Sequence, residues 1–392
     1  MAPDLAALYA RAPLGMRLGL DAMHASCTRL GHPERAFDVV HVAGTNGKGS
    51  TSAMVEAMVR AGGKKTGLYT SPHLCKFAER IRIDGEPISD DALASVLARA
   101  LEERDLSFFE AATLAALLAF RDAGVELAVI EVGIGGRLDA TNVIPPPRAS
   151  AITRVAFDHQ DRLGDTLDAI AREKAGIAKR GAPLVLGELG HEARKAVLEV
   201  ARDAGARVLD ALVLPEDVTV ALGGAHQRGN AAVAWTIGEV LGLEVAARRE
   251  GLSRVRWPGR LERIETSDGP FLLDGAHNPD GAEALVAALA SSGAGAIVFG
   301  ALADKAWPEM LDVLARVSAP RFYVAPHGRA PAQPAALAAR VEGEAHESLE
   351  SALAAARRVA GRGLVVVCGS LYLVGEARAR LLGLPQDPPV AL

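Results

Sequence analysis

The 392-residue chain carries 43 Lys+Arg against 48 Asp+Glu, a formal net charge of -5, and 49% apolar residues. That length suggests two hydrophobic cores, because single cores stop growing at about 250–300 residues, and the acidic balance gives no electrostatic basis for a nucleic-acid partner. Cys27, Cys75 and Cys368 are odd in number and far apart, which speaks against a disulfide framework or zinc site and for reduced thiols in a cytoplasmic protein.

The first residues include Asp4, Arg11 and Arg17 and lack an apolar core of signal-peptide type. Residues 37–43 predict a strand and 50–61 a helix. A short strand is expected over 68–71, ending where Pro72 cannot continue a ladder. Residues 127–132 and 149–152 predict buried strands separated by a Pro145-Pro146-Pro147 loop, and 167–178 and 192–204 predict helices. Continuous apolar strands alternating with helices imply a parallel sheet covered on both faces.

Pro258-Gly259, after a basic helix end, reads as a hinge. The pattern then restarts, with strands over 271–273, 296–299, 321–324 and 364–368. Helices are expected over 281–290, 307–315, 349–360 and 372–382, and a loop over 325–336. The uncharged run 284–303 has the length of a membrane span, but Ser291-Ser292-Gly293 breaks it, and helix, turn and strand fit it better. The expected organisation is a first domain over 1–260 and a smaller α/β domain over 261–392.

Motifs fall at the strand–helix junctions. In His41-Val-Ala-Gly44-Thr45-Asn46-Gly47-Lys48-Gly49-Ser50-Thr51 the glycines permit a sharp turn, amides at the helix start face an anion, and Lys48 supplies a point charge. The usual phosphate-loop spelling has a hydroxyl residue after the lysine to hold magnesium. Gly49 lacks it, so Ser50, Thr51 or a residue from elsewhere must substitute. Ser71, at the end of the neighbouring strand, is one candidate, because ligands gather at the carboxyl ends of strands in an open parallel sheet. Glu131 closes an apolar strand, where a buried carboxylate is costly unless a cation pairs with it.

Gly44–Ser50 together with Thr70-Ser71-Pro72-His73-Leu74 resembles folylpolyglutamate synthase, including the bacterial enzymes that also act as dihydrofolate synthase, within the Mur ligase superfamily. The resemblance extends over nearly the whole chain. It implies a P-loop-type doubly wound α/β sheet like the central domain of a Mur ligase, followed by a smaller Rossmann-like α/β C-terminal domain. By the resemblance, Thr45, Asn46, Gly47, Lys48, Gly49 and Ser50 hold ATP with Asn230, Arg260 and Asp274. Two Mg²⁺ ions are implied. Ser71 and Glu131 hold one, while Glu131, His159 and a CO₂-carbamylated Lys174 serve the other. His277 is the neighbouring motif histidine, and Asp304-Lys305 belongs to a further motif. The pterin-bearing substrate is implied to meet Arg17, Leu18, Gly19 and Leu20, then Ser107, Phe108, Phe109 and Glu110, and the Leu138-Asp139-Ala140 loop.

The implied reaction is ATP-dependent addition of L-glutamate to the carboxylate of a folate or dihydropteroate through an acyl phosphate, with release of ADP and phosphate. Small-molecule substrates and a monomer acting away from membranes are expected. One rival is a Mur-type ligase acting on a UDP-linked peptide, which usually carries an extra domain before the phosphate loop; 43 residues precede Gly44. A nucleotide-gated switch is the other, and no Asn-Lys-x-Asp guanine motif supports it.

Overall fold

The structure is a computed structural model that describes residues 3–12, 19–328 and 330–388. The first sheet uses β1 (Asp38–Ala43), β2 (Thr66–Tyr69), β3 (Ile81–Ile83), β4 (Glu86–Pro87), β5 (Leu127–Glu131), β6 (Ala149–Ile152), β7 (Pro183–Leu186) and β8 (Arg207–Asp210) in the order β4-β3-β2-β5-β1-β6-β7-β8. From β2 to β8 every neighbouring pair is parallel, and only β3 and β4 run antiparallel at one edge. Side chains alternate between two covered faces, as the predicted apolar runs require. Val39, Ala128 and Ile130 pack beneath the helices Asp90–Glu102 and Phe108–Ala123. Val40, Val42, Leu127 and Val129 pack against the helices Lys48–Ala61 and Ala225–Val240. Burying each of the valine, leucine and isoleucine side chains among them contributes about 1.5–3 kcal/mol.

Beyond the Pro258-Gly259 turn, a second sheet uses β9 (Glu262–Ile264), β10 (Phe271–Leu273), β11 (Ala296–Phe299), β12 (Arg321–Val324), β13 (Glu344–His346) and β14 (Val365–Cys368). Its order is β13-β12-β11-β14-β10-β9, parallel except for β9. Val298, Val365 and Val367 face one core, and Ile297, Phe299 and Val366 the other. This is the doubly covered α/β arrangement expected for both parts of the chain.

Several details differ from expectation. The first helix begins at Lys48 rather than residue 50, because Gly47 at its N-cap takes a left-handed φ of 86° and lets the turn close sooner. The helix predicted over 167–178 stops at Ala175, capped by Gly176. The loop predicted over 325–336 is shortened by a helix over Pro334–Arg340, with proline in its first turn. β8 and β13 are edge strands carrying Arg207, Asp210 and Glu344, too polar to read as strands. The uncharged run becomes the end of the helix Pro279–Leu289, a turn and β11. Among the described residues no helix is long and apolar enough to cross a membrane.

Candidate active site

The parallel strands β2, β5, β1 and β6 end side by side, with Val42 of β1 opposite Glu131 of β5. At this edge the loop after β1 is locked by backbone needs. Gly44 lies at φ 150°, and a Cβ there would meet Thr153 Oγ1 at 2.0 Å; at Gly47 a Cβ would meet Asn230 Oδ1 at 2.2 Å. Thr45 is fixed by its amide on the Arg154 carbonyl at 2.6 Å and its hydroxyl on the Ala156 carbonyl at 3.0 Å. Lys48 reaches back over the loop, Nζ donating to the Thr45 carbonyl at 3.1 Å.

Gly49 has its own reason. A Cβ there would stand 2.9 Å from Nε1 of Trp257, whose ring also receives the Arg82 guanidinium at 5.3 Å from its centroid. The residue after the lysine is therefore small because an indole packs on it. Restoring the common spelling with Gly49→Ser is expected to destabilise the protein by about 1–3 kcal/mol through overpacking, read as a lower Tm. Pairing it with Trp257→Leu should recover part of the loss. An unchanged Tm in the single variant would contradict this account.

The missing hydroxyl is not restored at Thr51, which is fully buried with Oγ1 unpartnered. Ser50 lines the cavity, but its Oγ accepts from Gln227 Nε2 at 3.3 Å, and Gln227 Oε1 in turn accepts from Asn230 Nδ2 at 3.0 Å. Ser71 lines the cavity beside Glu131, its amide donating to Glu131 Oε2 at 3.2 Å. Burial pushes the Glu131 carboxyl up, against the opposing pull of Lys48, the Ser71 amide, Arg260 and Arg80.

His159 follows β6 at φ 53°, a left-handed conformation that costs a non-glycine residue on the order of 1 kcal/mol and that tends to occur at functional sites. Burial, reinforced by Lys305 and Lys48 against the contrary pull of Asp158, brings its imidazole down to about 3, leaving a neutral ring with a lone pair to donate. Lys174 is buried, Nζ donating to the Gly44 carbonyl at 3.0 Å. Burial and then Lys48 pull it down to about 7, so much of it is free amine near neutrality. Among the described residues no three His, Cys, Asp or Glu side chains gather as a metal cluster. A hydroxyl and a carboxylate at the rim of a phosphate loop fit Mg²⁺, which prefers oxygen, takes few protein ligands and completes its shell with phosphate oxygens and water; the neutral imidazole adds a nitrogen donor beside them.

The second sheet supplies the opposite wall. Asp274 follows β10, its carboxylate accepting the amides of Leu261 at 2.9 Å and Ala276 at 3.0 Å. The Arg260 guanidinium lies over Gly275, where a Cβ would meet its Nη1 at 2.2 Å. His277 is held by its Nδ1 on the Gly275 carbonyl at 2.8 Å. Polar pairs join the walls. Asn46 and Asn278 exchange amide hydrogen bonds at 3.1 and 3.0 Å, and Asn46 and Arg154 both bond Asp280 at 2.7 and 2.8 Å. Lys305 Nζ meets Asp158 at 2.6 Å. Burial would raise the Asp158 carboxyl, but His277, Lys305 and His159 together hold it well below the usual range. The cleft between these walls measures about 640 Å³.

Thr45–Ser50, Ser71, Glu131, His159, Lys174, Asn230, Arg260, Asp274 and His277 all line this cavity, as do Phe108 and Phe109. Other expected residues do not. Ser107 and Glu110 form a buried capping box on the helix Phe108–Ala123, with Ser107 Oγ 2.6 Å from Glu110 Oε2. Asp139 caps the turn Ala140–Val143 and accepts the Ile134 amide at 3.0 Å, Ala140 is buried in the core, and the half-buried Leu138 is not part of the cavity lining. Gly133, Ile134 and Gly135 face the cavity in their place. Gly19 and Leu20 stand just before the helix Asp21–Arg29, away from the cavity lining, and Arg17 and Leu18 lie outside the described residues. Arg80, Arg154, Asp158, Ser370 and Tyr372 line the cavity without having been singled out in the sequence.

Residues 42–209 match the Mur ligase middle domain, and 259–371 match the Mur ligase glutamate ligase domain. The chain is 38% identical to folylpolyglutamate synthase of Lacticaseibacillus casei, covering 90% of this chain and 92% of that protein. It is 36% identical to dihydrofolate synthase/folylpolyglutamate synthase of Bacillus subtilis strain 168, over 79% and 82%. E. coli FolC in complex with DHPP and ADP superposes with a TM-score of 0.90 at 30% identity, over 97% of this chain and 98% of that one. A bifunctional folylpolyglutamate synthase/dihydrofolate synthase with Mn, AMPPNP and L-glutamate bound gives 0.88 at 30%, over the same shares.

Proposed function

Because the chain belongs to the folylpolyglutamate synthase/dihydrofolate synthase family of Mur ligases, we propose that the cavity between its two sheets joins L-glutamate to a pterin-bearing carboxylic acid at the cost of ATP. The enzyme is an ATP-dependent ligase that uses a divalent metal. One observation carries the residue assignment: a phosphate loop, a buried strand-end carboxylate and a neutral, partly exposed histidine share one cavity with Arg260 from the hinge and Asp274 from the second sheet's unit.

Thr45–Ser50 cradle the phosphates, Lys48 and Arg260 draw off negative charge, and Asn230 and Asp274 hold the nucleoside end. Ser71 and Glu131 would hold one Mg²⁺, and Glu131, His159 and a carbamylated Lys174 a second; bound there, such ions would supply positive charge toward the transferring phosphoryl group. The acceptor carboxylate attacks the γ-phosphorus to give an acyl phosphate and ADP. The glutamate amine then attacks the acyl carbon, and phosphate leaves. Positioning and charge stabilisation suffice, with no nucleophilic serine or cysteine. Phe108, Phe109 and Gly133–Gly135 wall the acceptor. Residues 261–392 bring the glutamate and, through His277, Asn278, Asp280 and Lys305, close the cleft against water, which would destroy an acyl phosphate. Three buried, unpaired thiols suit a reducing cytoplasm, and a cavity completed within one chain suits a monomer.

The test is ADP release with tetrahydrofolate or dihydropteroate as acceptor, with and without glutamate. Turnover is expected only when acceptor and glutamate are both present, and turnover indifferent to the acceptor refutes the reading. Labelled bicarbonate should yield a carbamate carbon signal in the native protein that Lys174→Arg lacks. The same signal in both proteins removes the carbamate.

A further inference from the structure

Arg80 stands at the junction of the cavity's aromatic wall and its metal edge, and nothing in the phosphate chemistry uses it. It precedes β3 and accepts the Thr70 amide on its carbonyl at 3.0 Å, which sets it directly beside Ser71. Its side chain is 1% exposed, yet it lines the cavity. The guanidinium carbon lies 5.3 Å from the Phe77 ring centroid and 5.4 Å from that of Phe108, so aromatic rings flank the charge. Nε donates to His73 Nδ1 at 2.9 Å. Because arginine only donates, this bond leaves the His73 proton on Nε2.

No Asp or Glu among the described residues lies within ion-pair distance of Arg80, and neither terminal amino group has a hydrogen-bond partner there. Arg80 lines the cavity, and these amino groups are the part of its side chain left for a ligand to bond. Glu131 acts on Arg80 only from beyond ion-pair distance, and a buried arginine without a directly paired carboxylate is costly unless a ligand provides one. Its planar fork matches a carboxylate in bidentate fashion, while the phosphates already have the glycine loop and Lys48.

We propose that Arg80 is a substrate-carboxylate site: its free guanidinium edge, stiffened by His73, Phe77 and Phe108, clamps a carboxylate of the acceptor acid or of the incoming glutamate. This rests on the ligase reading above. The two sources share one chemistry, and the Phe108 contact favours the acceptor side of the cavity.

Steady-state kinetics of full-length Arg80→Lys and Arg80→Met should separate them, with thermal melting and ADP affinity measured alongside. KM for one carboxylate substrate is expected to rise roughly 10- to 100-fold, the loss of one charge-assisted hydrogen-bonded contact, while KM for ATP and the affinity for ADP stay near native. A rise for tetrahydrofolate or dihydropteroate assigns the acceptor, and a rise for glutamate assigns the amino acid. Arg80→Lys keeps the charge and loses the fork, so it should fall between native and Met; it also carries the test alone if the Met variant does not fold. Unchanged KM values for acceptor and glutamate, or a rise for ATP alone, overturn the proposal. A native protein without acceptor-dependent turnover instead overturns the ligase reading, so the two failures are distinguishable.

Discussion

Glu131→Gln is expected to cut acceptor- and glutamate-dependent ADP release by on the order of 10³-fold, while the protein melts at the same temperature or higher. The two outcomes share one cause. Glu131 is 5% exposed at the end of an apolar strand, and burial raises its carboxyl pKa above the ordinary carboxylate range. The folded state therefore holds a proton that the unfolded chain releases, and stability falls as pH rises from about the unfolded pKa through the folded one. At neutral pH the ionised group is a net cost to folding, offset only in part by Lys48, the Ser71 amide, Arg260 and Arg80. An isosteric amide removes that cost and with it the negative charge that would hold the cation. Stability gained with activity lost is the mark of a residue kept for chemistry. If Gln at this position turns over at a near-native rate, or unfolds the protein at neutral pH, the metal role assigned to Glu131 fails.

What could be read from the chain in advance depended on how local each constraint was. Gly44 and Gly47 were legible because a turn with positive φ needs glycine whatever surrounds it. Glu131 was legible because one acid at the end of an otherwise apolar strand demands an explanation. Gly49 was legible only as a departure; its reason, the Trp257 indole, lies more than two hundred residues away in sequence. Ser107 and Glu110 had a purely local signature, Ser-x-x-Glu before an apolar run, and the structure follows that signature with a capping box. Arg80 had no sequence signal, since an arginine between two strand fragments looks like a surface residue until its neighbours prove to be Phe77, Phe108 and His73. Asp158, Arg154 and Asp280 escaped notice for the same reason: their partners sit on the other sheet, and no spacing within one segment reveals a pair that forms only when two units meet.

Lys48→Met should produce a loss of similar or greater size, roughly 10³-fold or more in kcat, with the fold intact. Among the described residues the side chain's one hydrogen bond is from Nζ to the Thr45 carbonyl, so removing the charge breaks a single contact within the loop. The loop's shape is held by other bonds, those of Thr45 to Arg154 and Ala156 and of Thr153 Oγ1 to the Asn46 carbonyl at 2.7 Å. Nucleotide affinity should therefore drop far less than turnover, because backbone amides at the helix start still meet the phosphates while the charge that follows the γ-phosphoryl is gone. The double variant Lys48→Met/Glu131→Gln supplies the sharper check. Both groups serve the same transfer, and they sense each other electrostatically in the resting protein. Their losses should therefore fall well short of multiplying, as with groups that act as a unit. Fully multiplicative losses would mean that lysine and carboxylate serve separate steps, and the shared phosphoryl site would have to be redrawn.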